Sequence, residues 1–311
     1  LYTYDDGGNL IHKGYYSYLP NHNDSYGLPV NKEVSYTYDS QWKDLLVNYN
    51  GTAITYDEIG NPQNWRDGMS FSWTGRQLDS VTKDGVTTTY TYDSNGLRTS
   101  KTTGDDVTEY TYLGSSLVYQ VTNKGQSDEV SLYFYYDDTG LAAFYYESAQ
   151  YPSDNGIYHY VKDIQGNIWG LIDSNGELIA RDHYSAYGEY WSKWYVEEGP
   201  TSVLQRNNRV RNANPFHYRG YYYDEETGLY YCQSRYYDPE VDRWLSVDDE
   251  LSGVGGEILG YNLFAYCFND PVNMSDPTGN WPKWLTGALN VVSGALQMVA
   301  GAALGATLGW T

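Results

Sequence analysis

"YTYDSNGLRTS", residues 90–100, places a threonine between two tyrosines, then an aspartate, then a glycine three positions further on. Alternate side chains of extended backbone share a face, so Tyr90 and Tyr92 point one way and Thr91 the other. An aspartate opening a turn accepts from the amides ahead of it, and glycine supplies the positive φ with which the chain folds back. The stretch reads as a β-hairpin.

The same grammar recurs along the chain. Tyr4-Asp5, Tyr38-Asp39, Tyr56-Asp57, Tyr92-Asp93 and Tyr136-Asp137 lie 34, 18, 36 and 44 residues apart. These intervals cluster near one or two multiples of about twenty, which indicates a repeat architecture. "YTY" also stands at 2–4, 36–38 and 110–112, and a glycine follows three residues after Asp5, Asp57, Asp93, Asp137, Asp163 and Asp173. Asp39, in "DSQWKD", lacks that glycine, so its turn is expected to be longer or irregular. No stretch before residue 281 keeps a helical period, and the expected fold class is all-β. Single hairpins are marginal in water, so the units must stack into one long sheet, and a long twisted sheet curls toward a shell.

Composition agrees with strands and excludes some functions. Among 311 residues there are 37 tyrosines and only 6 phenylalanines, an apolar mass that carries hydroxyls and suits half-buried sheet faces. Forty acidic against nineteen basic residues leave a net charge of −21, which repels phosphate backbones, so no nucleic-acid partner is expected. The chain opens in a strand-and-turn pattern without a signal-peptide profile and reads as a piece of something longer. Cys232 and Cys267 cannot form a disulfide framework and are expected as small buried apolar groups. The histidines at 12, 22, 159, 183 and 217 have no metal-ligand spacing, so neither a metal site nor a cofactor is expected.

Beyond the repeats, "YHYVKDIQGNIWGLIDSNGELIARDHYSAYGE" (158–189), "FHYRGYYYDEETGLYYCQSRYYDPEVDRWLSVDD" (216–249) and "ILGYNLFAYCFNDPVNMSDPTG" (258–279) resemble the core domain of the RHS family. The "YDEIGNP" and "YTYDSNGLRTS" units resemble its YD repeats. The resemblance covers residues 1 to 280 and implies YD repeats over 1–156, a core over 157–280 and a pre-toxin segment over 281–311. It further implies a spiral β-cage plugged by the core and enclosing a toxin that follows Thr311. A cognate immunity protein and a secreted or cell-surface bacterial location would accompany such a cargo.

Members of this family often cut themselves just after a DPxG motif with core aspartates. The chemistry needs two carboxylates sharing one proton. By motif position the candidates are Asp248 and Asp276, with Asp249 competing for the first role and Arg243 stabilising carboxylate or oxyanion charge. The cut would fall between Asn280 and Trp281. Two departures stand out: Asn280 replaces the family's usual leucine, and Asp248-Asp249 replaces its aspartate-proline. Read as turn chemistry alone, Asp238-Pro239, Asp270-Pro271 and Asp276-Pro277 are ordinary openers, and Arg243 beside Trp244 is a stacked core arginine.

Residues 284–311 hold no charged side chain and are long enough to span a bilayer, which suggests contact with a target-cell membrane or shielding inside the cage. No toxin catalytic motif is visible. The competing functional class is a surface adhesion module that binds glycans and cuts nothing.

Overall fold

The computed structural model describes residues 1–16, 30–195, 200–247, 262–276 and 278–280. Three antiparallel sheets dominate. The first runs β1 (Tyr2–Tyr4), β2 (Leu10–Tyr16), β3 (Val30–Tyr38), β4 (Leu46–Tyr49) and β5 (Thr52–Ala53). The second has twelve strands in chain order: β6 (Ser70–Thr74), β7 (Gln77–Lys83), β8 (Val86–Tyr92), β9 (Arg98–Thr103), β10 (Asp106–Leu113), β11 (Ser116–Thr122), β12 (Val130–Asp137), β13 (Gly140–Ser148), β14 (Gly156–Lys162), β15 (Ile168–Ile172), β16 (Leu178–Tyr184) and β17 (Tyr190–Tyr195). The third contains β18 (Tyr222–Asp224), β19 (Leu229–Cys232), β20 (Arg235–Asp238) and β21 (Arg243–Trp244). The expected boundary at 156/157 falls after the first residue of β14, which pairs directly with β13, Ala143 opposite His159.

The turn chemistry is the one the sequence implies. Asp93 Oδ1 accepts the amides of Asn95 and Leu97 at 2.8 and 2.9 Å, and Asp5, Asp57, Asp163 and Asp173 do the same two and four residues ahead. Gly8, Gly60, Gly96, Gly166 and Gly176 sit at φ between +78° and +85°. At Asp39 the closing bond runs from its own amide to Leu45 O, a longer loop than the Asp93–Leu97 turn, as expected without the glycine. The register slips at the tyrosine before the turn, between Thr3 and Tyr4, Thr37 and Tyr38, Thr91 and Tyr92, and Tyr135 and Tyr136. Each slip interrupts the ladder where a bulge would sit, and bulges strengthen local twist.

Those tyrosines also stitch successive hairpins. Tyr38, Tyr56, Tyr92, Tyr136 and Tyr184 donate through their hydroxyls to the carbonyls of Leu10, Leu46, Leu78, Leu117 and Ile168, at 2.7 to 2.9 Å. The ring fills the inner face while the hydroxyl satisfies backbone that would otherwise be buried without a partner, which phenylalanine cannot do.

The strip wraps around the third sheet. Lys13, Trp65, Arg98, Tyr110 and Tyr160, spread along β2 to β14, all reach partners between residues 214 and 242. The apolar core lies in the space between wall and plug, from Leu10 and Val34 through Phe134 and Phe144 to Leu229 and Leu245. A second cluster inside the plug joins Tyr218, Tyr221, Tyr230, Tyr237, Trp244 and Tyr266 with both cysteines, which are buried and free.

One element departs from the all-β reading. A helix, α1 (Thr201–Ala213), follows Pro200 and lies against β16 and β17. Its inward residues are Asn207, Val210 and Arg211, so the face it buries is mainly polar and leaves no apolar period in the sequence. Among the described residues no helix is long and apolar enough to cross a membrane. Residues 284–311, Asp248, Asp249 and Trp281 lie outside the described residues.

Candidate functional site

The aspartates of the third sheet face cations of the wall. Asp224 Oδ2 receives Arg98 Nη1 at 2.6 Å and its Oδ1 lies 3.0 Å from Lys101 Nζ. Both Asp224 and Arg98 are fully buried, and the guanidinium carbon is 4.4–5.2 Å from the centroids of Tyr231, Tyr222, Tyr110 and Tyr90. Asp238 Oδ2 receives Trp65 Nε1 and Arg66 Nε, each at 2.7 Å, while its Oδ1 caps the turn at Glu240 and Val241. Asp242 and Glu189 share the buried Lys13 ammonium at 2.9 and 3.0 Å.

Burial would raise the Asp224 pKa, but Arg98 and Lys101 outweigh it and hold the carboxyl below its ordinary range. Asp242 goes the other way. Burial pushes it up to about 7 against the pull of Lys13, with Glu189 and Asp238 adding to the rise.

The second centre is the turn at 276–280. Asp276 is fully buried, its amide donates to Tyr221 Oη at 3.0 Å, and its Oδ1 accepts the Asn280 amide at 3.1 Å. Arg235, at the start of β20, grips the turn from the other side. Its Nη2 is 3.4 Å from Asp276 Oδ2, its Nε donates to Gly279 O, its Nη1 donates to Leu263 O at 3.1 Å, and its guanidinium stacks 4.2 Å from the Trp244 ring. Ser234 Oγ donates to Thr278 O at 2.8 Å. Gly279 adopts φ +75°, and a Cβ there would lie 2.7 Å from both Cys232 O and Ser234 Oγ, so only glycine fits. Asn280 opens onto a groove of about 470 Å³ bordered by Trp73, Arg76, Asn95, Arg235 and Ser246. Arg76 Nη1 reaches Val247 O at 3.4 Å, so the groove touches the chain on both sides of the segment 248–261.

Of the residues singled out from sequence, Asp276 and Asn280 are thus brought together. Arg243 is not at this turn. It is buried over the Tyr38 and Phe264 rings and donates to Asp44 O at 2.6 Å, the stacked core position rather than one beside Asp276. The guanidinium facing Asp276 is that of Arg235, which sequence reading passed over because "SRYYD" resembles an ordinary strand. Also missed was Ser185, which stands in for the turn aspartate in "YSAYG": its Oγ accepts the amides of Tyr187 and Glu189. A serine followed by glycine three positions on was the available signal. No group of three or more candidate ligands that could hold a metal ion occurs among the described residues.

No family model matches the chain. It is 35% identical over 246 residues to the tRNA3(Ser)-specific nuclease WapA of Bacillus spizizenii, covering 77% of this chain and 10% of that protein. It is 28% identical over 300 residues to the toxin subunit YenC1 of Yersinia entomophaga, covering 90% of this chain and 29% of that protein. Among solved structures, the crystal structure of TcdB2-TccC3-TEV superposes with a TM-score of 0.65 at 21% identity, covering 89% of this chain and 13% of that one. The chain spans about a tenth of the length of the WapA relatives it matches. Its homologues are toxin proteins of the RHS type, and its fold is that of their β-shell.

Proposed function

We propose that this chain is the C-terminal part of a toxin-delivery shell, in which the curled strip encloses a toxin following Thr311 and the core closes the end through which the chain leaves. The observation that carries this reading is the 276–280 turn. A buried carboxyl, the Asn280 amide and an open groove meet at residues 276–280, the expected end of the plug.

Release would be peptide hydrolysis at Asn280-Trp281. Water adds to the Asn280 carbonyl carbon as one carboxylate takes its proton, and the other carboxyl gives a proton to the Trp281 nitrogen as the C–N bond breaks. Asp276 is one partner, and Asp248 or Asp249 the other. Intact mass of the purified full-length protein tests this beside Asp248→Asn, Asp249→Asn and Asp276→Asn. A break after Asn280 that disappears in Asp276→Asn and in one of the other two supports the reading. An unbroken wild-type chain removes the protease.

A second reading, glycan adhesion, has one observation in its favour. Tyr119, Tyr133 and Tyr145 lie in register across β11, β12 and β13 on the outer face, with ring centroids 4.8 and 6.2 Å apart. Loss of polysaccharide binding in a Tyr133→Ala variant of an uncut protein would favour it.

A further inference from the structure

We infer that the cavity between the wall and the third sheet is a binding site for a neutral saccharide of a few units, a role independent of the cleavage reading above. It measures about 690 Å³, within the size range of small-molecule sites. Strands β9 to β12 border it on one side and residues between 211 and 226 on the other. Two side chains aim unused polar atoms into it. Gln120 is 7% exposed and stands opposite Tyr110 and Leu132 of the core. Its Oε1 accepts the Tyr222 hydroxyl at 2.9 Å, while its Nε2 meets no partner among the described residues and opens onto the cavity. His217 is 4% exposed, with its Nδ1 held 3.3 Å from Asp182 Oδ2 and its ring in T-shaped contact with Tyr190 and Tyr223. Burial would raise the Asp182 pKa, but His217 and Arg211 outweigh it and hold the carboxyl below its ordinary range. An ionised carboxylate calls for the Nδ1–H tautomer, so neutral His217 turns a bare Nε2 acceptor toward the space it borders, where no described residue meets it.

An unused donor and an unused acceptor facing one cavity select a ligand that carries both. The threonines agree. Thr108 and Thr122 Oγ1 lie 3.0 Å apart, and a hydroxyl pair that shares one proton keeps the other free to donate. Sugar hydroxyls donate and accept alike, and the half-buried Tyr223 at the border offers ring surface to a pyranose C–H face. Anionic ligands are turned away. Asp224 and Glu226 share Lys101 at 3.0 and 2.8 Å, and Asp182 takes Arg211 at 2.7 Å, so both cations at the border are already neutralised. Asp106 and Glu225 on the same border add negative potential.

The test is calorimetric titration of the purified chain with maltotriose, N-acetylchitotriose, trigalacturonate and trialanine amide, with thermal unfolding measured alongside. Saturable binding of at least one neutral trisaccharide is expected, and none of trigalacturonate. Gln120→Glu keeps the acceptor that Tyr222 uses and removes only the free donor, whereas His217→Phe keeps the ring between Tyr190 and Tyr223 and removes Nε2. Each should weaken binding about five- to tenfold, the worth of one hydrogen bond. If His217→Phe unfolds, Gln120→Glu decides alone. Tyr133→Ala, on the outer face, should bind as the unaltered chain does.

Four results would overturn the proposal. The first is no saturation by either neutral trisaccharide, which leaves the cavity to water. The second is trigalacturonate binding as well as they do, and the third is a preference for trialanine amide, which gives the cavity to a peptide. The fourth is unaltered affinity in the folded Gln120 and His217 variants, or a loss in Tyr133→Ala that moves the sugar to the outer face. None of these touches the cleavage reading, which stands or falls on the fragment masses.

Discussion

Asp224→Asn should be among the most damaging single changes in the plug. The carboxylate is fully buried between Arg98 at 2.6 Å and Lys101 at 3.0 Å, and Arg98 is itself without solvent contact. Removing the negative charge leaves two cations in the wall–plug interior, of which only Lys101 keeps a carboxylate, Glu226 at 2.8 Å. Breaking one side of a buried pair costs about 3–5 kcal/mol. The four tyrosine rings around Arg98 recover part of that, at ~0.5–2 kcal/mol for a desolvated cation–π contact. The expected net loss is about 3 kcal/mol, or roughly 6–12 °C in unfolding midpoint at ~2–4 °C per kcal/mol. Thermal unfolding followed by tryptophan fluorescence reads it, since Trp65 is buried where wall meets plug and Trp244 inside the plug. Arg98→Met should cost a similar amount, and the Arg98→Met/Asp224→Asn double variant should lose less than the two singles together, because no charge is stranded at that pair. Losses below about 1 kcal/mol in both singles, or strict additivity in the double, would refute the view that this pair locks plug to wall.

Two further outcomes follow from the same geometry. Asp242 has a folded pKa of about 7, above the ordinary aspartate value, so its contribution is full below about pH 4 and is lost as pH rises through 7. Asp242→Asn should flatten the pH dependence of stability across that window, and an unchanged slope in urea titrations from pH 4 to 8 would contradict it. Gly279→Ala forces a Cβ to within 2.7 Å of Cys232 O at φ +75°, so cleavage should fall sharply while the unfolding midpoint shifts by only a few degrees; wild-type cleavage would mean the turn relaxes without consequence.

The strands and turns were legible because they are local. An aspartate followed by glycine three residues later specifies its own turn through contacts within five residues, and alternating tyrosines specify a face. Even the irregular turn at Asp39 could be read from the missing glycine. Helix α1 was not legible, since the face it buries carries Asn207 and Arg211, held by partners from distant strands such as Asp182. The site divided along the same line. Asp276 and Asn280 stand in one short motif that the family resemblance singled out, and a hydrogen bond joins them in the fold. Arg235 reaches them from 41 residues away through the fold, and no spacing rule encodes such a contact.

The acidic richness of the "YYDEETGLYYCQSRYYDPEVDRW" region also finds its reason in assembly. A hydrophobic plug inside a hydrophobic tube has many equivalent rotations, because tyrosine faces are much alike. Asp224, Asp238 and Asp242 remove that freedom, since each must meet its own cation from a different part of the strip: Arg98 and Lys101, Arg66, and Lys13. A misplaced plug would bury three carboxylates without partners, at several kcal/mol each. Buried ion pairs add little net stability over apolar contacts, but they select one register from many. That selection is what a 276–280 turn needs if its single bond is to face the same groove every time. The aspartate–cation contacts thus tie the plug to the wall, and the Arg235 contacts tie the 276–280 turn to the plug.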